Sequence, residues 1–135
     1  MKKMKRFFVA LLCLTLVMGF SITAYAAPAP SLTSVTITDV TADQNNKVYI
    51  EVTEIGTSSI RYVYCNNQLL TENINEMISL DLDGDNIIDG YRRYFDTGYY
   101  VSGLYSGLVF NCRAEYRNAM YPWNTLYANE IFSFN

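Results

Sequence analysis

The sequence predicts an all-β fold, a two-sheet antiparallel sandwich, and three observations predict it. Period-two alternation of apolar and polar residues recurs from Val35 to Tyr116. Clusters of Gly, Asn, Asp and Ser separate the alternating runs. No segment carries a sustained apolar stripe at helical spacing. Roughly seven short strands in about 100 residues is the strand density of such a sandwich.

The first residues belong to something else. Met1 to Arg6 holds four cations and no acid, Phe7 to Phe20 is apolar, and Ala24-Tyr25-Ala26 follows. A basic start, an apolar middle and small residues at the cleavage site are the three parts of a secretory signal, so residues 1–26 are predicted to be removed. The apolar run falls short of the ~20 residues that span a bilayer. Cys13 leaves with it. Residues 27–33, including Ala27-Pro28-Ala29-Pro30, read as a linker, and residues 34–135 as the sandwich domain.

Cleavage leaves 109 of 135 residues, enough for one domain with a real core. Losing four of the ten basic residues leaves six against thirteen acids, a net charge of -7. Such a chain repels nucleic acid and anionic membranes, and no second segment is long and apolar enough to span a bilayer. The expected location is extracellular.

The strands follow in order. Val35 and Ile37 form the first alternating run, and Val48, Ile50 and Val52 the second. Ile60, Tyr62 and Tyr64 form the third, and Ile78, Leu80 and Leu82 the fourth. Leu108, Phe110, Cys112, Ala114 and Tyr116 form the last. Each named set is expected to face the core. Asp43 to Asn46, Gly56-Thr57-Ser58, Asn66-Asn67, Gly84-Asp85-Asn86 and Tyr121-Pro122-Trp123-Asn124 read as turns. Leu69 to Met77 reads as one helical turn or an irregular crossover.

Cys65 and Cys112 remain after cleavage, and outside the cell such a pair is expected to form a disulfide. The loop of 48 residues it closes would stabilise the fold by about 4 kcal/mol. Parity sets a condition. Cys112 falls with the core set, whereas Cys65 falls opposite Ile60, Tyr62 and Tyr64, so the bond requires Cys65 to lie past its strand, in the Asn66-Asn67 turn.

The stretch Tyr100-Val101-Ser102-Gly103-Leu104-Tyr105-Ser106-Gly107-Leu108-Val109-Phe110, continuing to Ala114, Tyr116 and Asn118, resembles the E-to-F region of fibronectin type III domains. Pro30 to Val40 and Asn129 to Phe134 resemble that family's first and last strands. The resemblance implies an Ig-like, fibronectin type III-like sandwich. Phe110 stands at the corner tyrosine, Ser106 replaces a proline, and the single Trp123 comes late. A second resemblance, to the small secreted Bacillus YolA-like family, rests on Ala26 to Pro30, Asp89 to Tyr100 and Tyr121 to Thr125. It implies secretion and no particular activity.

Asp81, Asp83, Asp85 and Asp89 stand at positions 1, 3, 5 and 9 of one loop. A hard dication offsets their repulsion, with the Ile87 carbonyl at position 7 completing the set, and the run resembles EF-hand-type calcium loops. Asn86 takes the place of the usual Gly and tolerates the left-handed conformation. Ile88 is expected to anchor the loop on the core. Arg92 replaces the bidentate Glu at position 12, so binding is weak unless an acid such as Asp96 completes the shell. A solvated Asp-Gly hairpin without an ion is the alternative. Calcium is expected in a structural role, and Arg92 and Arg93 are expected to pair with the loop's carboxylates.

The chain has no histidine, which removes Ser/His/Asp and Cys/His nucleophile systems and typical zinc sites. Catalysis is therefore not expected. The alternative is a small secreted hydrolase with paired carboxylates among Glu51, Glu54, Glu72, Glu76 and Glu115. Aromatics are more suggestive: eleven tyrosines, four phenylalanines and one tryptophan follow the cleavage site. Tyr62, Tyr64, Phe110 and Tyr116 read as core, and Tyr49 lies on the polar side of its strand. Tyr91, Tyr94, Tyr99, Tyr100, Tyr105, Tyr121 and Trp123 read as less internal. Tyr105, Tyr121 and Trp123 on loops are expected to meet an extracellular glycan or protein, because each ring presents a rigid amphipathic surface. Wrapping of a small core by these rings is the alternative.

Overall fold

The computed structural model describes residues 31–101, 107–118 and 121–133. Nine strands and one short turn of 3-10 helix succeed one another: β1 (Ser34–Ala42), β2 (Lys47–Ile55), β3 (Ile60–Cys65), β4 (Gln68–Leu69), β5 (Thr71–Glu72), the 3-10 turn (Ile74–Glu76), β6 (Ile78–Leu80), β7 (Gly90–Tyr100), β8 (Val109–Asn118) and β9 (Tyr121–Ser133). They form two antiparallel sheets. One runs β1-β2-β7-β5, with β6 also on β7, and the other runs β4-β3-β8-β9. The predicted two-sheet sandwich is the fold.

The core lies between the inward faces. β2 supplies Val48, Ile50 and Val52, and β7 supplies Phe95. β8 supplies Phe110, Cys112, Ala114 and Tyr116, as its alternation predicts. Branched and aromatic side chains suit this half-buried pleated surface. The packed body already includes Leu32, which is buried, while Thr33 donates its backbone N–H to the Ile55 carbonyl at 2.9 Å. Gly56 makes this approach possible: a Cβ there would lie 2.0 Å from the Ser31 carbonyl oxygen, and its φ is +85°.

Several expectations about orientation are overturned. β3 turns Val63 and Cys65 inward, and Tyr62 faces out with Tyr64 half-buried beside it. Pairing with β8 fixes this: Val63 stands opposite Ala114 and Cys65 opposite Cys112, so the inward set of β8 dictates that of β3. The cysteines thus share a face inside the ladder, and Cys65 need not lie in the turn. Both are buried free thiols in the structure, not the expected disulfide. The hydrogen bond shared with Cys65, and then burial, push the Cys112 thiol well above its ordinary value.

Tyr49, expected on a polar side, is buried. Ile78 and Leu82, expected in the core, are exposed, because β6 is only an edge fragment of three residues. Leu69 to Met77 contains the expected helical turn, capped where Asn73 accepts a hydrogen bond from the Asn75 N–H. Trp123 lies within β9, not in a loop. Pro122 had suggested a turn, but β9 is an edge strand, where a missing N–H is tolerated.

Candidate functional site

The acidic loop joins β6 to β7, and its ends are closed by the Asp89 N–H donating to the Leu80 carbonyl at 2.8 Å. Asp81 accepts hydrogen bonds from the backbone N–H groups of Gly84 (2.7 Å) and Asn86 (3.0 Å). Asp83 accepts from Asp85 (3.2 Å), Asp85 from Ile87 (2.7 Å) and Asp89 from Leu82 (2.7 Å). Asn86 has φ +67°, the left-handed conformation expected at position 6. This curl gathers one carboxylate oxygen from each of Asp81, Asp83 and Asp89 within 4.8 Å of one another. Like charges at that spacing repel by about 1 kcal/mol per pair in water. The backbone N–H groups offset part of that repulsion and fix the positions of the oxygens.

The rest of the expected shell differs. Asp85 lies outside the gathered group. Ile87 and Ile88 are exposed, so Ile88 does not anchor the loop. Asp96 bonds Lys47 at the far end of β7, Arg92 pairs with Glu51 at 3.3 Å, and Arg93 is buried elsewhere. Neither arginine turns to the loop: strand alternation sends them to opposite faces, Arg93 inward to Glu54 and Arg92 outward beside Glu51 of β2.

Arg93 instead sits in a buried polar network. Its Nε donates to Glu54 Oε1 at 2.6 Å, and a second nitrogen donates to Glu72 Oε1 at 2.7 Å and touches Met77 Sδ at 3.0 Å. Ser58 Oγ donates to the other oxygen of Glu54, and Arg61 Nε donates to Glu72 Oε2 at 2.9 Å. Glu54 has no exposed surface. Of the five glutamates considered for hydrolysis, the network joins Glu54 and Glu72, and it ties both to arginine. Burial raises the Glu72 carboxyl, but hydrogen bonds from Arg61 and Arg93 outweigh it and hold the group below its ordinary value. A general acid needs the opposite shift.

The outer face of the β4-β3-β8-β9 sheet is built differently. Register aligns Tyr62, Glu115 and Tyr127 in one row across three strands, and Tyr64, Arg113 and Asn129 in the next. Trp123 is 79% exposed and Tyr127 63% exposed. Asn124, the neighbour of Trp123, donates to the Leu32 carbonyl at 3.0 Å. The Arg113 guanidinium stacks 4.5 Å from the Tyr64 ring centroid, and that of Arg117 lies 6.0 Å from the Tyr62 ring. Such stacking holds rings and cations in place.

Of the expected ligand-binding residues, Trp123 is exposed on β9, the edge strand of this sheet, at the irregularity between its pairings with Asn118 and Arg117. Tyr105 and the Tyr121 side chain lie outside the described residues. Sequence reasoning missed Tyr62, Tyr64 and Tyr127. The available signal was the shared parity of Val63 and Cys65, which would have turned both β3 tyrosines outward. A polar recess of about 220 Å³ beside β5, lined by Lys47, Tyr49, Thr71, Glu72, Asn73 and Asp96, is smaller than the ~300 Å³ at which ligand pockets begin.

No curated protein and no solved structure matches the chain. A family of domains of unknown function, DUF4879, matches over residues 27–132, which include every described element from β1 to β7 and all of β8, and the chain belongs to that family.

Proposed function

We propose that the chain is a secreted, non-catalytic binding module with a fibronectin type III-like sandwich, stabilised by calcium, that recognises a glycan or a protein through exposed Tyr and Trp side chains. The observation that carries this reading is the outward pair Tyr62 and Tyr127 on one sheet face, with Trp123 exposed on the same edge strand as Tyr127 and tyrosines held under arginines. Large rigid rings left in water are the residues that anchor partners. The strand orders β1-β2-β7 and β4-β3-β8-β9 support reading β7 and β8 as that family's E and F strands. In the acidic loop, Asp81, Asp83 and Asp89 would hold the ion, and hard carboxylate oxygens suit calcium. An extracellular thiol oxidant, taking up two electrons and two protons, would join the facing Cys65 and Cys112.

Titration of the purified protein against wall polysaccharides and against proteins of the culture medium tests the reading. Saturable binding that weakens with Trp123→Ala is expected. Absence of binding in both panels, or binding indifferent to that change, refutes it.

A further inference from the structure

We infer that the outer face of the β4-β3-β8-β9 sheet is a docking surface for an anionic polysaccharide. This rests on the binding-module reading and gives it a place and a ligand class. Six cations follow the signal segment: Lys47, Arg61, Arg92, Arg93, Arg113 and Arg117. The first four each pair with a carboxylate. Among the described residues, Arg113 and Arg117 have no such partner. Both project from β8, the inner strand of this face, onto tyrosine rings. A chain that is acidic as a whole thus concentrates its two uncompensated cations in one aromatic patch, and charge of that sign selects an anionic partner.

The remaining chemistry selects a saccharide. Arg113 and Arg117 are four residues apart on one strand, about 14 Å, so one small anion cannot reach both while an extended polymer can. Between them Glu115 lies between Tyr62 and Tyr127 across the strands. Protein-protein interface cores are depleted of glutamate. A hydroxyl-rich chain, by contrast, donates hydrogen bonds to Glu115, lays its C–H faces on the rings and offers anions to the arginines. The face is sheet, not cleft, which suits a strand of polymer bound along its length. Carboxylate and phosphate substituents supply the same recognition, since a guanidinium binds either through paired N–H groups.

Affinity electrophoresis of the purified protein tests this. Alginate supplies carboxylates and phosphomannan supplies phosphates; amylose and dextran are neutral controls, and poly-L-glutamate is a polyanion without sugar. Retardation by alginate, by phosphomannan or by both is expected, and the stronger of the two names the anion. Amylose, dextran and poly-L-glutamate are expected to leave mobility unchanged. Arg113→Gln with Arg117→Gln should weaken binding about tenfold. Glu115→Gln should strengthen it about twofold, a direction that a structural defect does not produce. Melting curves matching the wild type confirm that both variants fold.

Equal retardation by amylose overturns the anionic class and leaves the binding-module reading standing. Retardation by poly-L-glutamate as strong as by alginate overturns the saccharide and points to an acidic protein. No retardation by either acidic polysaccharide also overturns the inference. Saturable binding to a culture protein or to another wall polysaccharide would then keep the module reading, and absence of both would end both.

Discussion

Replacing Arg93 with methionine removes a cation whose surroundings make its loss costly. Glu54 is wholly buried, and its Oε1 receives its hydrogen bond from Arg93 Nε at 2.6 Å. In the variant that carboxylate keeps only Ser58, while Glu72 keeps Arg61. Stripping one partner from a buried ion pair costs about 3–5 kcal/mol, because the other charge stays uncompensated. For a domain of about 100 residues that is a fall in melting temperature of roughly 15–25 °C. Urea unfolding followed by far-ultraviolet circular dichroism measures it. Glu54→Leu combined with Arg93→Met should recover part of the loss, since an apolar pair of similar volume leaves no buried charge behind. A single variant within about 1 kcal/mol of wild type, or a double variant no more stable than the single, would refute the reasoning. Either result would mean that the Glu54 carboxylate does not depend on the guanidinium.

Acid should weaken the fold through the same network. The Glu72 carboxyl is held below its ordinary 4.5, so its contribution is complete above that pH and is lost as pH falls through the lowered value. The urea midpoint should therefore hold between pH 5 and 7 and fall below about 4.5, and the fall should be shallower in Glu72→Gln; equal slopes would count against it. Calcium at 10 mM, with a dissociation constant of about 10⁻⁴ to 10⁻³ M, should add about 1.4–2.7 kcal/mol and raise the melting temperature by roughly 5–15 °C. Asp81→Asn should abolish that rise, and calorimetric curves identical in calcium and EDTA would remove the ion from the account. Mass spectrometry of protein recovered from the medium should show two hydrogens fewer than the reduced chain, with Cys65 and Cys112 in one cross-linked peptide. Two alkylatable thiols would rule the disulfide out.

The strand β8 was readable because aliphatic and aromatic residues alternate there with polar ones and the alternation agrees with burial; in β2 Val48, Ile50 and Val52 follow the same rule while Tyr49 is buried against it. β3 was not, because Ile60, Tyr62 and Tyr64 compete with Val63 and Cys65, and hydropathy alone does not decide which set faces in. The partner strand decides it, through Val63 opposite Ala114. Its inward position also carries Arg61 to Glu72, a link between the two sheets that no local pattern announces. Glu54 and Arg93 look like surface charges in sequence, and their burial depends on a pairing 39 residues apart. The curl of the acidic loop was legible because it is local: aspartates bind N–H groups two to five residues away. The place of the aromatic patch was not, because Tyr62 and Tyr127 meet only through β8.

The free side of β7 is shared by two fragments, Thr71–Glu72 and Ile78–Leu80, with the 3-10 turn between them. An intruding chain seeking to extend this sheet finds no continuous row of donors and acceptors, only two stubs interrupted by a bend. A long unpaired strand at this border would invite a second copy to add its own. Breaking the border into short pieces denies self-assembly a template there.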